Sequence, residues 1–221
     1  MNYIENIYVC LAIPVLVAVF CADRRRRPSL LFLLSGMTAC LFSSYISTFL
    51  TELLGPGFTD ATVSVTPIVE ECMKIVPVLF CLLVFESPRH VASNGILMTA
   101  VGFATFENVC YLTTNGAENL RNLLIRGAST GAMHITCGFL IGLGLLYFWD
   151  RLWIQAAGTV ALVCLAIVYH ATFNVLVDEG GAFAFIGYLL PMLTLIPAVS
   201  ISRRLMRRSD REPEPEYDPT Q

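Results

Sequence analysis

The chain has 221 residues, 56% of them apolar and only 14% charged, with a formal charge of −3. A soluble domain carries roughly a quarter charged residues, so a water-soluble globular class is excluded and the fold is read as membrane spans. The eight cysteines fall in apolar stretches and form no CxxC pair, which argues against a disulfide framework or a thiolate metal knuckle.

Seven apolar segments follow one another. They predict an all-α fold, a polytopic transmembrane helix bundle of about seven spans. The first covers residues 3–22, with Glu5 near its start and Arg24 to Arg27 behind it, the reverse of a cleavable signal peptide. The second, 29–54, ends at Gly55-Pro56-Gly57. The third covers 61–85, with Thr66-Pro67 as an alternative start, because proline suits a first helical turn. Pro77 lies inside it and is expected to kink the helix just past Lys74. The rest cover 91–113, 125–148, 153–177 and 182–201. The expected layout is one transmembrane domain over residues 1–201 and a cytoplasmic, disordered tail over 202–221, whose Glu-Pro repeats are too polar to pack.

Seven spans predict an outside N-terminus and a cytoplasmic C-terminus, and basic residues test this. Arg24 to Arg27, Arg89, Arg151, Arg203, Arg204, Arg207, Arg208 and Arg211 fall on the predicted cytoplasmic side, and Arg121 and Arg126 on the outer side. The bias agrees.

Within the third span, Val69-Glu70-Glu71-Cys72-Met73-Lys74 sets three formal charges on about one helical turn. An ionised side chain at bilayer depth costs at least about 2.5–3.5 kcal/mol, so this turn must face protein or water. A Glu70–Lys74 pair at i,i+4 would neutralise one glutamate and leave the other. Partners are available on three further spans: Glu107 on the fourth, His134 on the fifth, and His170 with Asn174 on the sixth. The second span offers only Ser and Thr, which ordinarily bond their own helix backbone. At about 1.5 Å per residue, Glu70 lies roughly 5–15 Å and His134 roughly 12 Å below the outer surface. Glu107 and His170 lie roughly 25 Å up from the inner surface, in a core about 30 Å thick. All converge on the outer half.

Three carboxylates, two histidines, an amide and a lysine are the parts of a hydrolase. Glu70 or Glu71 can act as general base on a water, with Glu71 the preferred base because Glu70 sits one turn from Lys74. His134 and His170 can bind a divalent metal or donate to a tetrahedral oxyanion. Glu107 is either a third ligand or an orienting group, and Asn174 can orient the water or the scissile carbonyl. Zinc is the expected metal; a metal-free glutamate mechanism uses the same residues. The HExxH arrangement is absent.

Glu70-Glu71-Cys72-Met73-Lys74 matches an EExxK motif, Phe103-Ala104-Thr105-Phe106-Glu107 matches FxxxE, and His134 and His170-Ala171-Thr172-Phe173-Asn174 match two later histidine motifs. Over residues 61–178 the chain resembles the PrsW family of bacterial intramembrane proteases, and more distantly the CAAX-processing glutamate-type proteases. The resemblance implies a multi-pass protein of the bacterial cytoplasmic membrane. It also implies first-site cleavage of a membrane-anchored anti-sigma factor near the extracytoplasmic face. The expected partners are the lipid bilayer and such a single-pass substrate, with no nucleic acid. Two other readings stay open at this point: a proton- or ion-coupled transporter using the carboxylates as a relay, and a non-catalytic scaffold with a structural polar network.

Overall fold

The computed structural model describes residues 3–55, 61–85, 89–116, 119–147 and 152–209. They form helices α1 (Ile4–Cys21), α2 (Arg27–Leu54), the single-turn α3 (Ala61–Ser64), α4 (Thr66–Phe85), α5 (Arg89–Asn115), α6 (Leu120–Tyr147), α7 (Leu152–Asp178) and α8 (Gly181–Ser209). The chain is an all-α, multi-pass membrane protein. Among the described residues, five of the seven long helices are apolar enough to cross a membrane by length and composition alone. The other two, α4 and α6, carry Glu70, Glu71, Lys74 and His134.

The ends follow local chemistry. α2 opens at Arg27 with proline in its first turn, where a missing N–H is harmless. The predicted third span divides: α3 is separate, and α4 starts at Thr66 with Pro67 in the first turn. α4 then runs through Pro77 without interruption. α6 starts at Leu120 rather than near 125, because Asn119 Oδ1 accepts from the N–H groups of Arg121 (3.1 Å) and Asn122 (3.3 Å), as a capping side chain does. α8 continues to Ser209, so residues 202–209, expected in the tail, are helical. Arginine, leucine and methionine are good helix formers, and the first proline after Pro197 is Pro213. Pro56, Gly57 and the tail from residue 210 lie outside the described residues.

α4 reverses the amphipathic pattern of a soluble helix. Pro67, Glu70, Glu71, Lys74, Val78 and Leu82 are buried, while Ile68, Val76, Phe80 and Leu83 are exposed. Spacings of three and four put the buried set on one face. Beneath the charges, Ile75, Val78 and Leu82 join Phe32, Ile96, Met133, Cys137 and Phe173 in one apolar core. α2 lies against α5 most extensively, α4 packs on α2, α5 and α7, and α6 packs on α5, α7 and α8. The charged turn thus faces the middle of the bundle.

The α2–α5 contact sets where Glu107 stands. A Cβ built on Gly36 would run into the backbone of Thr99, and one on Gly102 into the backbone of Leu33. Backbone cannot yield as a flexible side chain can, so Gly102→Ala is expected to destabilise the fold by about 1–3 kcal/mol. Denaturant titration of purified protein in detergent checks this, with Gly131→Ala as control, since nothing lies near a Cβ there.

Candidate active site

Four helices bring the charged groups together. The α4 turn supplies Glu70, Glu71 and Lys74, α5 supplies Glu107, α6 supplies His134 and α7 supplies His170. Glu71, His134 and His170 are almost wholly enclosed, and Lys74 is 5% exposed. The side chain of Glu107 is 26% exposed. Asn174, one turn beyond His170 on α7, is half-buried.

Lys74 is paired with Glu71, not Glu70: Nζ donates to Glu71 Oε1 at 2.6 Å. This corrects the i,i+4 pairing expected from spacing, and the cause lies on another helix. Nζ also meets His134 Nδ1 at 2.7 Å and sits 4.7 Å from the centre of the Phe103 ring. Those partners draw the ammonium inward to the side where Glu71 lies. Lysine only donates, so His134 Nδ1 is the acceptor and the proton of the neutral ring sits on Nε2. That nitrogen bonds Glu107 Oε2.

His170 has the opposite tautomer. Its Nδ1 lies 2.7 Å from Glu71 Oε1, and an ionised carboxylate only accepts. Nδ1 therefore carries the proton, and Nε2 presents a lone pair 3.8 Å from Glu70 Oε2. A carboxylate holding one ring nitrogen while the other stays open is the arrangement that orients metal-ligating histidines. The two imidazoles meet edge to face, with centroids 5.1 Å apart.

The donor set fits a divalent cation. Ligand atoms of Glu70, His134 and His170 all lie within 4.8 Å of one another, and Glu70 Oε2 is buried with no hydrogen-bond partner among the described residues. His134 would serve through Nδ1, giving a metal the lone pair that here accepts from Lys74 while Nε2–H stays on Glu107. Glu107, which the sequence grouped with the two histidines, stands beside His134 and outside that trio. Mixed imidazole and carboxylate donors suit zinc-type chemistry.

Glu70 and Glu107 both line a cavity of about 390 Å³ between α1, α2, α4 and α5, with Ser43, Ser47, Thr48 and Thr66 on its wall. Hydroxyls such as Ser43, Ser47 and Thr48 on α2 are expected to bond their own helix backbone. Ser43 does bond Cys40 O at 2.8 Å, but Ser47 Oγ is a buried hydroxyl with no partner among the described residues. Ser43 and Ser47, four residues apart on one face of α2, are the pattern in the sequence that marks this wall.

Arg126 was also missed, having been counted as an outer-loop charge. It lies 3.5 Å from Glu107 Oε1, donates to Asn108 Oδ1 at 3.0 Å and stacks 3.4 Å from the centre of the Tyr111 ring. Glu107 is thereby gripped on one oxygen by His134 and on the other by Arg126. Spacing alone does not reveal such a pair, because it forms between helices.

A family model described as PrsW family intramembrane metalloprotease matches residues 25–201, which span every residue named above. No curated protein and no solved structure gives a significant match.

Proposed function

The chain belongs to the PrsW family of intramembrane metalloproteases, and from that premise we propose how it cuts and what it cuts. The observation that carries the reading is the trio Glu70, His134 and His170, with ligand atoms within 4.8 Å of one another. These are the residues that would hold a divalent metal, zinc being the best match to their donors. When bound, such an ion supplies Lewis-acid polarisation of the scissile carbonyl and makes a nearby water more acidic.

The chain's own side chains do the rest. Glu71 fixes the tautomer of His170 through Nδ1, and Lys74 balances the charge of Glu71. We assign proton transfer to Glu107 instead of Glu71. Glu71 is fully enclosed with one oxygen shared by Lys74 and His170, whereas Glu107 borders the cavity. From there Glu107 takes a proton from the attacking water and returns it to the leaving amine. His134 and Arg126 hold its carboxylate in place. Asn174 orients the scissile carbonyl.

The substrate in this reading is a single-pass membrane protein cut near the extracytoplasmic face, of the anti-sigma-factor type. The cavity holding Glu70 and Glu107 is lined by Ile4, Thr48, Thr66 and Thr114, at the end of the bundle opposite the basic Arg24–Arg27 connection. That polarity supports an outer-side cut. Family membership does not favour the transporter reading.

The test is cleavage of a single-pass reporter by purified protein in proteoliposomes, with elemental analysis of the same samples. Glu107→Gln is expected to keep its metal and lose cleavage by roughly 10²–10⁴-fold, the range for a general acid–base group. Glu70→Gln is expected to lose both. Wild-type cleavage by Glu70→Gln with unchanged metal content would sink the reading.

A further inference from the structure

Away from the protease site, the bundle carries a composite cavity with a basic end and an apolar end. One part, of about 680 Å³, is lined by Asp23, Arg24, Arg25, Arg26, Ser29 and Asn94. The other, of about 760 Å³, is an apolar groove between α2 and α4, bordered by Leu31, Phe42, Met73, Val76, Pro77 and Phe80. The two share Arg24, Pro28, Phe32 and Val91, so they form one continuous depression. Each volume falls in the range of sites that take a small molecule.

We infer that this depression binds one anionic phospholipid, its phosphate on Arg24 and Arg25 and an acyl chain in the α2–α4 groove. Charge carries the first half. Asp23 is already engaged by Arg26, at 3.6 Å side chain to side chain and 3.0 Å to its backbone N–H. Arg27 is turned onto the carbonyls of Ala22 (2.9 Å) and Phe20 (3.5 Å). Arg24 and Arg25 have no partner among the described residues and are exposed. Guanidinium groups bind phosphate in fork geometry, and basic residues beside a membrane helix attract anionic lipid.

Length carries the second half. Along α2, Arg27 to Phe42 is about 22 Å at 1.5 Å per residue. That compares with about 15 Å for one leaflet of a core about 30 Å thick, so the groove runs the full reach of a single leaflet's chains. A free phosphate would use only the arginines; an amphiphile uses both parts.

The site has a route to function. Val76 is exposed on the outer side of the helix whose buried face carries Glu70, Glu71 and Lys74, and the half-buried Met73 and Pro77 lie between the two. A bound chain packs against the turn beneath the charges, where Pro77 removes a backbone hydrogen bond, and holds α4 against α2.

Native mass spectrometry of the full chain, released from nanodiscs of equal phosphatidylglycerol and phosphatidylcholine, tests this without any substrate. Phosphatidylglycerol is expected to be retained several-fold over phosphatidylcholine. Arg24→Gln/Arg25→Gln is expected to reduce that retention about tenfold and Arg24→Lys/Arg25→Lys much less. Val76→Trp, which fills the groove, is expected to reduce it as well. The paired arginines are exposed, so their variants test the site even if Val76→Trp fails to fold. Equal retention of the two lipids, or unchanged retention in the glutamine variant, overturns the inference. So does displacement of the lipid by glycerophosphoglycerol at equal concentration, which would mark a free-phosphate site. A Val76→Trp protein that keeps its phosphatidylglycerol but loses reporter cleavage would give the groove to a substrate helix. Lipid retention does not depend on catalysis, so failure here leaves the proteolytic reading standing.

Discussion

His170→Ala is expected to remove bound metal and abolish cleavage of a membrane-anchored reporter while the helices stay assembled. His170 is the histidine whose free nitrogen points at Glu70, with Nε2 3.8 Å from Oε2, and whose other nitrogen is committed to Glu71 at 2.7 Å. The loss should exceed the roughly 10–100-fold in metal affinity or activity that follows when a group supporting a ligand is changed. Glu71→Gln supplies that comparison, because its amide can still accept from Nδ1 but carries no charge. Metal content by elemental analysis and reporter cleavage by gel are the two measurements. If His170→Ala retains stoichiometric metal and cleaves normally, the trio of Glu70, His134 and His170 is not the metal site. If Glu71→Gln loses as much as His170→Ala, Glu71 acts on substrate or metal directly and its role as an orienting group is wrong.

The largest stability effect is expected at Lys74. Its side chain is 5% exposed and that of Glu71 is fully enclosed, with 2.6 Å between Nζ and Oε1. Lys74→Met leaves the Glu71 carboxylate buried with only His170 to answer it. Removing one partner of a buried pair typically costs about 3–5 kcal/mol, because the survivor keeps its desolvation cost. Lys74→Met/Glu71→Gln should regain much of that, since no lone charge is left behind. Glu70→Gln should barely move stability, as its Oε2 has no hydrogen-bond partner among the described residues to lose. Denaturant titration of the parent, Lys74→Met, Glu71→Gln and Lys74→Met/Glu71→Gln forms a cycle that measures the coupling. Additive losses from the two single changes would mean that the pair contributes nothing as a pair. A Lys74→Met protein as stable as its parent would place the lysine's weight elsewhere, on His134 or Phe103.

The comparison between Glu70 and Glu71 also shows how far spacing reaches. Adjacent residues on a helix point about 100° apart, so one turn with two glutamates must present them to different surroundings. Sequence can state that difference but cannot say which neighbour each one meets. The lysine was assigned to Glu70 by the favoured i,i+4 geometry. In the folded chain it goes to Glu71, because His134 and Phe103 from α6 and α5 draw it there. Glu70 is left facing the cavity with Glu107. Arg126 is a similar case. Its place near the start of α6 marked it as an outer charge, and only the packing of α6 on α5 turns it onto Glu107 and Tyr111.

By itself the sequence determined the class of the protein and six members of its polar centre. An apolar chain with few charges must bury its backbone in helices, and ionised groups inside those helices must find one another or water. Glu70, Glu71, Lys74, Glu107, His134 and His170 were therefore legible as a group, and the structure brings all six together. The helix ends were legible to within a few residues except where capping decided them, as at Asn119, or where good helix formers carried α8 to Ser209. The tertiary structure alone decided who bonds whom. Tautomers, ion-pair partners and the residues bordering the cavity depend on distances of a few ångströms between helices far apart in the chain. Those distances are set by how side chains and glycines pack across the bundle, as at Gly36 and Gly102 between α2 and α5, and a residue's position along its own helix does not encode them.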